Sequence, residues 1–165
     1  MSTNSPVTLR CELWPGDLGR LTELHGLLYG EEYGFDNRFE AYVAGSLGEI
    51  VQRTTPARDR LWLAEAAGRL VGSVGILGRE NDEAQLRWFL VHPDARRRGL
   101  GGRLLREALD FSRAAGFRSV YLWTVSPLAD AARLYTGAGF HLTEETPEAA
   151  PWGVRLREQR YDLEL

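Results

Sequence analysis

Arg96, Arg97 and Arg98 are followed by Gly99, Leu100, Gly101 and Gly102. The group lies directly after an apolar run ending in Val91 and directly before residues at helical spacing. These residue types in this order suit the binding of phosphate. The first turn of a helix leaves backbone N–H groups without partners, and their partial positive charge attracts anions. Glycines let a pyrophosphate approach the backbone, and guanidinium groups add charge-assisted hydrogen bonds. Neither common phosphate motif fits: the chain has no G-x-x-x-x-G-K-[ST] and no G-x-G-x-x-G. What it has is Arg96-x-x-Gly99-x-Gly101, placed between a strand and a helix.

The elements that must position this loop follow from periodicity. "VTLRCEL" (7–13) alternates like a strand, with Cys11 expected to be buried in it. Leucines 18, 21, 24, 27 and 28 mark a helix after Pro15-Gly16-Asp17. "YGFD" (33–36) reads as a loop, and "NRFEAYVAGSLGEIVQR" (37–53) as a second helix. Residues 60–79 give two strands around a turn at Ala67-Gly68, and 83–93 give a strand ended by Pro93. A helix over about 100–115, a strand over 119–125 and a helix over 127–139 come next. "FHLTEET" (140–146) and "GVRLREQRYDLEL" (153–165) supply the last two strands. The order is β-α-α-β-β-β-α-β-α-β-β. It implies a single-domain α/β fold with a mixed, mostly antiparallel sheet of about seven strands and helices on both faces.

Composition narrows the function. A net charge of −3 and no basic stripe beyond the loop argue against a nucleic-acid partner. No apolar run reaches the length of a membrane span, and "MSTNSPVTLRCEL" lacks the pattern of a signal peptide. Cys11 is the only cysteine, so no intrachain disulfide forms and no zinc cluster is expected; a cytoplasmic setting suits this. His25, His92 and His141 show no metal or triad spacing and read as structural.

The motif in its context resembles the acyl-CoA-binding segment of the GNAT superfamily of N-acetyltransferases, whose pattern is [Gln/Arg]-x-x-Gly-x-[Gly/Ala]. "LRWFLVHPDARRRGLGGRLL" is similar to that family's fourth strand, loop and helix. "SVYLWTV" is similar to its fifth strand, and "AARLYTGAGF" to its A-x-x-L-Y-x-x-x-G-F segment. More narrowly, "EYGFDNRFEAYVA", "AQLRWFLVHP" and "WGVRLREQRYDL" look like the acetyltransferase half of MarR–GNAT fusion proteins, without the winged-helix half. The resemblance implies an enzyme using acetyl-CoA and no metal. The backbone of Phe89, Leu90 and Val91 would run beside the pantetheine arm. N–H groups of Arg97 through Gly102 would hold the pyrophosphate, and those near Leu90 and Val91 would polarise the carbonyl. Tyr135 would protonate the departing thiolate, a role that suits a phenol. The acceptor would be a small-molecule primary amine, and a homodimer is common among relatives.

Some family positions differ here. Leu128 stands where many relatives carry an asparagine that contacts the cofactor. The positions of the two glutamate bases known in relatives fall on Gln85 and Trp123, so a water oriented by Gln85, or Glu32 or Glu65, is a candidate proton route, as is an amine of low enough pKa to need no strong base. Alternation would put Gln85, Arg87 and Phe89 on one face and Leu86, Trp88 and Leu90 on the other. Arg87 would then meet the acceptor and pair with a carboxylate on it. Tyr33 and Phe35 lie in the loop that lines the acceptor side in relatives, and Trp123 is expected at the pocket wall. The alternatives are a non-catalytic acyl-CoA sensor and a peptide acetyltransferase; "TEETPEAAPWGV" (143–154) is placed to close the groove that a peptide would need.

Overall fold

The computed structural model describes residues 5–53 and 55–165, so the first four residues of the N-terminal stretch and Thr54 lie outside it. Seven strands and four helices form in the order read from the sequence: β1 (Thr8–Arg10), α1 (Asp17–Tyr33), α2 (Asn37–Gln52), β2 (Arg60–Ala66), β3 (Arg69–Gly78), β4 (Glu83–Val91), α3 (Leu100–Ala114), β5 (Ser119–Val125), α4 (Ala129–Gly137), β6 (His141–Glu145) and β7 (Glu158–Glu164). They make one sheet in the order β1-β2-β3-β4-β5-β7-β6. Only β4 and β5 run parallel; every other neighbouring pair is antiparallel.

Period-two alternation builds a core on each face. Trp62 and Ala64 of β2 pack with Leu104, Leu105 and Ala108 of α3. Leu61 and Leu63 face the other way, against Leu21 of α1 and Val43 and Leu47 of α2.

β4 breaks the alternation. Trp88 adopts a left-handed φ of 47°, and the register moves from Gly75↔Arg87 to Ser73↔Leu90, so Trp88 and Phe89 together oppose Val74. This bulge sends Leu86 and Phe89 to the α3 face and Trp88 to the α2 face. Gln85, Arg87 and Phe89 therefore do not share a face, as strict alternation required. The Trp88 carbonyl accepts from Ser73 Oγ at 2.5 Å, and its indole N–H donates to Ser46 Oγ at 2.9 Å. A Cβ on Gly75 would sit 2.6 Å from the indole ring, so glycine is needed there to admit it.

β1 is shorter than its alternating pattern because the chain turns into an ionic knot. Asp17, 1% exposed, accepts from Arg10 and from the Trp14 backbone N–H, each at 2.7 Å, and also pairs with Arg20. Arg10 reaches on to Glu65 of β2 at 2.9 Å. Cys11, expected to be buried in β1, lies past its end and is exposed. The final strand begins at Glu158, not 153, because Gly153 turns at a φ of 84° and Ala149 bridges Leu156.

Candidate active site

β4 and β5 pair only at Glu83↔Ser119, Ala84↔Val120 and Gln85↔Tyr121. Beyond this point they diverge, and the opening continues into a cavity of about 120 Å³ whose walls include residues 85–89 of β4 and 122–125 of β5. The bulge stands at the mouth of this V.

The arginine–glycine loop lies at the other end of β4. A 3-10 turn over Pro93–Ala95 is capped by His92 Nδ1, which accepts from the Asp94 N–H at 3.1 Å. Arg97 then takes a φ of 58° and Gly99 a φ of 78°, the latter at the N-cap of α3. The Arg96 N–H bonds to Pro93 O, and the Arg103 N–H is the first to reach back into the helix, to Gly99 O at 3.0 Å. The N–H groups between them belong to the loop and the opening turn, where a helix leaves donors free. A Cβ on Gly101 would meet Leu134 of α4 at 3.3 Å, Phe89 at 3.7 Å and Val91 at 3.8 Å. Its missing side chain therefore lets β4, α3 and α4 converge under the loop. The cradle fits a pyrophosphate: free donors, two left-handed residues and a helix dipole.

Arg96 is engaged in another way. Its guanidinium grips both oxygens of Glu32, at 2.6 and 2.7 Å, and donates to Val91 O at 2.9 Å. It fastens the loop to the end of α1, and Arg97, Arg98 and the loop backbone take no part in that pair. Glu32→Gln is expected to raise the Kd for acetyl-CoA about fivefold, the worth of a partly exposed ion pair, as read by isothermal titration. A Kd within twofold of wild type would separate this pair from cofactor binding.

Tyr135 of α4 is 5% exposed, and its ring packs against Phe89, Phe140 and Tyr161 with centroids 5.8–6.2 Å away. It also lines the cavity. Burial pushes its phenol pKa far above the ordinary value, so the hydroxyl keeps its proton.

The structure gathers part of the expected acceptor group. Gln85, Arg87, Phe35 and Trp123 all line the cavity, as does Leu128, while Tyr33 stands behind Phe35 and Tyr29. The Gln85 Oε1 accepts from Arg79 at 2.6 and 3.0 Å, so Gln85 offers the cavity an amide N–H and no proton acceptor. Arg87 is 3.4 Å from Glu49 and donates to Tyr42 OH at 3.2 Å. Glu32 is held by Arg96, and Glu65 by Arg10 and Arg20.

Several wall residues were not singled out from the sequence: Tyr29, Phe39, Tyr42, Trp152 and Glu158, together with His25, which was read as structural. Trp152 comes from the β6–β7 connection. Its ring lies 5.3 Å from Phe35, 5.0 Å from Phe39 and 5.6 Å from Tyr42, and its carbonyl accepts from the Asp36 N–H at 3.1 Å. Glu158 is the one carboxylate among the wall residues. Among the described residues no group of three or more His, Cys, Asp or Glu side chains gathers as a metal site, and no helix is long and apolar enough to cross a membrane.

The chain is similar to known acetyltransferases in sequence and in fold. The acetyltransferase (GNAT) family profile matches residues 21–140. N-acetyltransferase family 8 member 3 of Rattus norvegicus is 35% identical over 89 residues, 51% of this chain and 39% of that protein. The uncharacterized N-acetyltransferase YjgM of Escherichia coli K12 is 33% identical over 98 residues, 58% of this chain and 59% of that protein. The matches thus span 39% to 59% of the lengths of these curated relatives. The Salmonella typhimurium yncA structure, solved with its cofactor acetyl-CoA, shares the fold at a TM-score of 0.76 and 22% identity, covering 98% of this chain and 95% of that one.

Proposed function

We propose that this chain, which belongs to the acetyltransferase (GNAT) family, transfers the acetyl group of acetyl-CoA directly to a primary amine of a small molecule. The observation that carries the small-molecule reading is the strap across the acceptor side. Trp152 lies on Phe35, Phe39 and Tyr42, and the Asp36 N–H donates to the Trp152 carbonyl; these contacts support a covered acceptor side over an open peptide groove.

Acetyl-CoA supplies the acyl group: an amide forms at the amine nitrogen, the C–S bond breaks, the amine gives up one proton and the thiolate gains one. The chain's residues do the rest. N–H groups of Arg97 through Gly102 hold the pyrophosphate, with Arg97 and Arg98 neutralising it. The backbone of Phe89, Leu90 and Val91 lies along the pantetheine arm, and N–H groups near Leu90 and Val91 polarise the carbonyl. Tyr135 donates the proton to sulfur. Glu158 receives the amine's proton, directly or through a water that the Gln85 amide orients. A non-catalytic acyl-CoA sensor was left open by the lack of a carboxylate at positions 85 and 123, and Glu158 supplies one on the same wall. The chain works in the cytoplasm in this reading, where Cys11 stays reduced, without nucleic acid or membrane, as a monomer or a homodimer. The narrower likeness to MarR–GNAT fusions rests on the three sequence segments alone.

The test is release of free thiol from acetyl-CoA across a panel of amines. All 20 basic residues are arginine, so the chain offers no lysine amine as a competing acceptor. Turnover with at least one amine class supports the reading; acetyl-CoA binding without thiol release from any amine would favour the sensor. Arg87→Ala is expected to raise KM about tenfold for carboxylated amines and to leave that of their amides unchanged, the loss of one charge-assisted pair. An equal effect on both would remove the carboxylate from the acceptor.

A further inference from the structure

The acceptor end of the cavity is built mainly of aromatic rings. Tyr29 stacks on Phe39 at 4.6 Å, Phe35 meets Phe39 edge-on at 5.2 Å, and Trp152 closes over both. The aromatic surface continues to the outside: Tyr42 and Trp123 line the cavity yet are 53% and 38% exposed. Open aromatic faces around a hollow mark a binding site for apolar matter. The size is restrictive. At about 120 Å³ the space is slightly smaller than the cavity of about 150 Å³ known to take one benzene molecule.

Behind these rings the wall carries a buried polar side chain, in addition to Gln85, Arg87, Thr124 and Glu158. His25 of α1 is 3% exposed, and its ring lies nearly parallel to that of Tyr29. Its Nδ1 faces the Leu21 carbonyl at 2.8 Å, which can only accept, so Nδ1 carries the proton. Nε2 is therefore a bare acceptor, and it is buried without a partner. A buried acceptor of this kind calls for a donor. Burial also pushes the pKa of His25 down to about 4, which keeps the ring neutral through the working pH range.

We infer that the acceptor is a primary amine carrying a single aromatic ring, seated against the wall that Tyr29, Phe35, Phe39 and Trp152 form, with a hydrogen-bond donor on the ring facing Nε2 of His25. This rests on the reading of the cavity as the acceptor site. It goes further by naming the class of molecule and the residues that select it.

The test uses 2-phenylethylamine, its 4-hydroxy derivative, n-hexylamine and 1-naphthylmethylamine, in two assays. Thiol release gives kcat/KM. Quenching of indole fluorescence with CoA present gives Kd, because Trp88, Trp123 and Trp152 all line the cavity. The phenyl amine is expected to exceed hexylamine at least tenfold in both assays, and to exceed the naphthyl amine because the second ring does not fit. The 4-hydroxy derivative should bind tighter still, and His25→Leu should abolish that increment alone. Trp152→Ala should bring the phenyl-to-hexyl ratio close to one and admit the naphthyl amine, with the Kd for acetyl-CoA unchanged. Hexylamine equal to the phenyl amine overturns the inference, as does a hydroxyl that gives no increment or one that survives His25→Leu. Selective binding of ring amines with no thiol release would instead overturn the acetyl transfer and keep the occupant.

Discussion

Replacing Tyr135 by phenylalanine is expected to lower kcat about 100-fold, the lower end of what a positioned general acid contributes, with the Kd for acetyl-CoA unchanged. The two parts of this expectation come from different halves of the side chain. The ring is a core element, packed on Phe89, Phe140 and Tyr161, and phenylalanine keeps those contacts, so the unfolding midpoint should hold. The side chain also lines the cavity, and the proposed proton transfer needs the hydroxyl. Because burial raises its pKa well above the usual phenol value, it remains a donor across the whole working pH range. The thiolate it would protonate is the product of C–S cleavage, so its loss should appear in kcat and not in KM. Stopped-flow thiol release and titration of acetyl-CoA measure the two separately. A Tyr135→Phe protein with full kcat would end the acid assignment, and one with weakened acetyl-CoA binding and normal kcat would make Tyr135 a cofactor contact only.

The second large effect concerns stability. Asp17→Ala is expected to destabilise the fold by about 3 kcal/mol at pH 7, because removing one partner of a buried pair leaves the other charge uncompensated. The stranded group is Arg10, whose side chain is only 13% exposed and would keep Glu65 as its one carboxylate partner, beside the Glu12 carbonyl and the Trp14 ring. The pH dependence follows from the sign of each shift. Hydrogen bonds from Arg10 come first among the causes that hold the Asp17 carboxyl well below the ordinary carboxylate range, with the Trp14 N–H and Arg20 adding to them. Its stabilisation is thus complete above the unfolded pKa of about 4 and is lost as pH falls below that. His25 acts over a higher window. Desolvation lowers its pKa to about 4, so the unfolded chain binds the proton first, and stability declines as pH drops from about 6.5 toward 4. Thermal melts from pH 8 to pH 3 should show both limbs. Asp17→Ala should flatten the lower one and His25→Leu the upper one; unchanged limbs would assign the acid sensitivity to other groups.

The placement of the arginine–glycine loop at the start of α3 was legible in the sequence. The Arg96–Gly102 loop is local, its chemistry comes from backbone donors at a helix start, and such starts carry punctuation that can be read residue by residue. Element order followed for the same reason, from periods of two and 3.6. The acceptor side was legible only in part. Phe35, Gln85, Arg87 and Trp123 fall on the cavity as expected, but Tyr29, Phe39 and Tyr42 lie on helix faces where an aromatic residue reads equally well as core. The segment 143–154 that carries Trp152 was placed over the acceptor side, but the tryptophan itself was not singled out, and the last strand was started at 153, where Gly153 turns the chain instead. The bulge at Trp88 gave no local signal either. A tryptophan with positive φ is held there by Ser73, Ser46 and Gly75, partners more than ten residues away. The pairing of Arg96 with Glu32 spans 64 positions, and no spacing rule reaches that far.

The sheet order carries a consequence for how the molecule is assembled. β7, which follows β6 in the chain, lies between β5 and β6, and among the described residues β6 has no other neighbour in the sheet. Until β7 arrives, β6 has nothing to pair with, and the strap bearing Trp152 between them has neither end anchored. The arginine–glycine loop and α3 are complete by α4, some twenty residues earlier in the chain. In the proposed function, a nascent chain would acquire the means to hold a pyrophosphate before it acquires the cavity wall that Trp152 and Glu158 supply, and the choice of amine would hang on a single strand insertion.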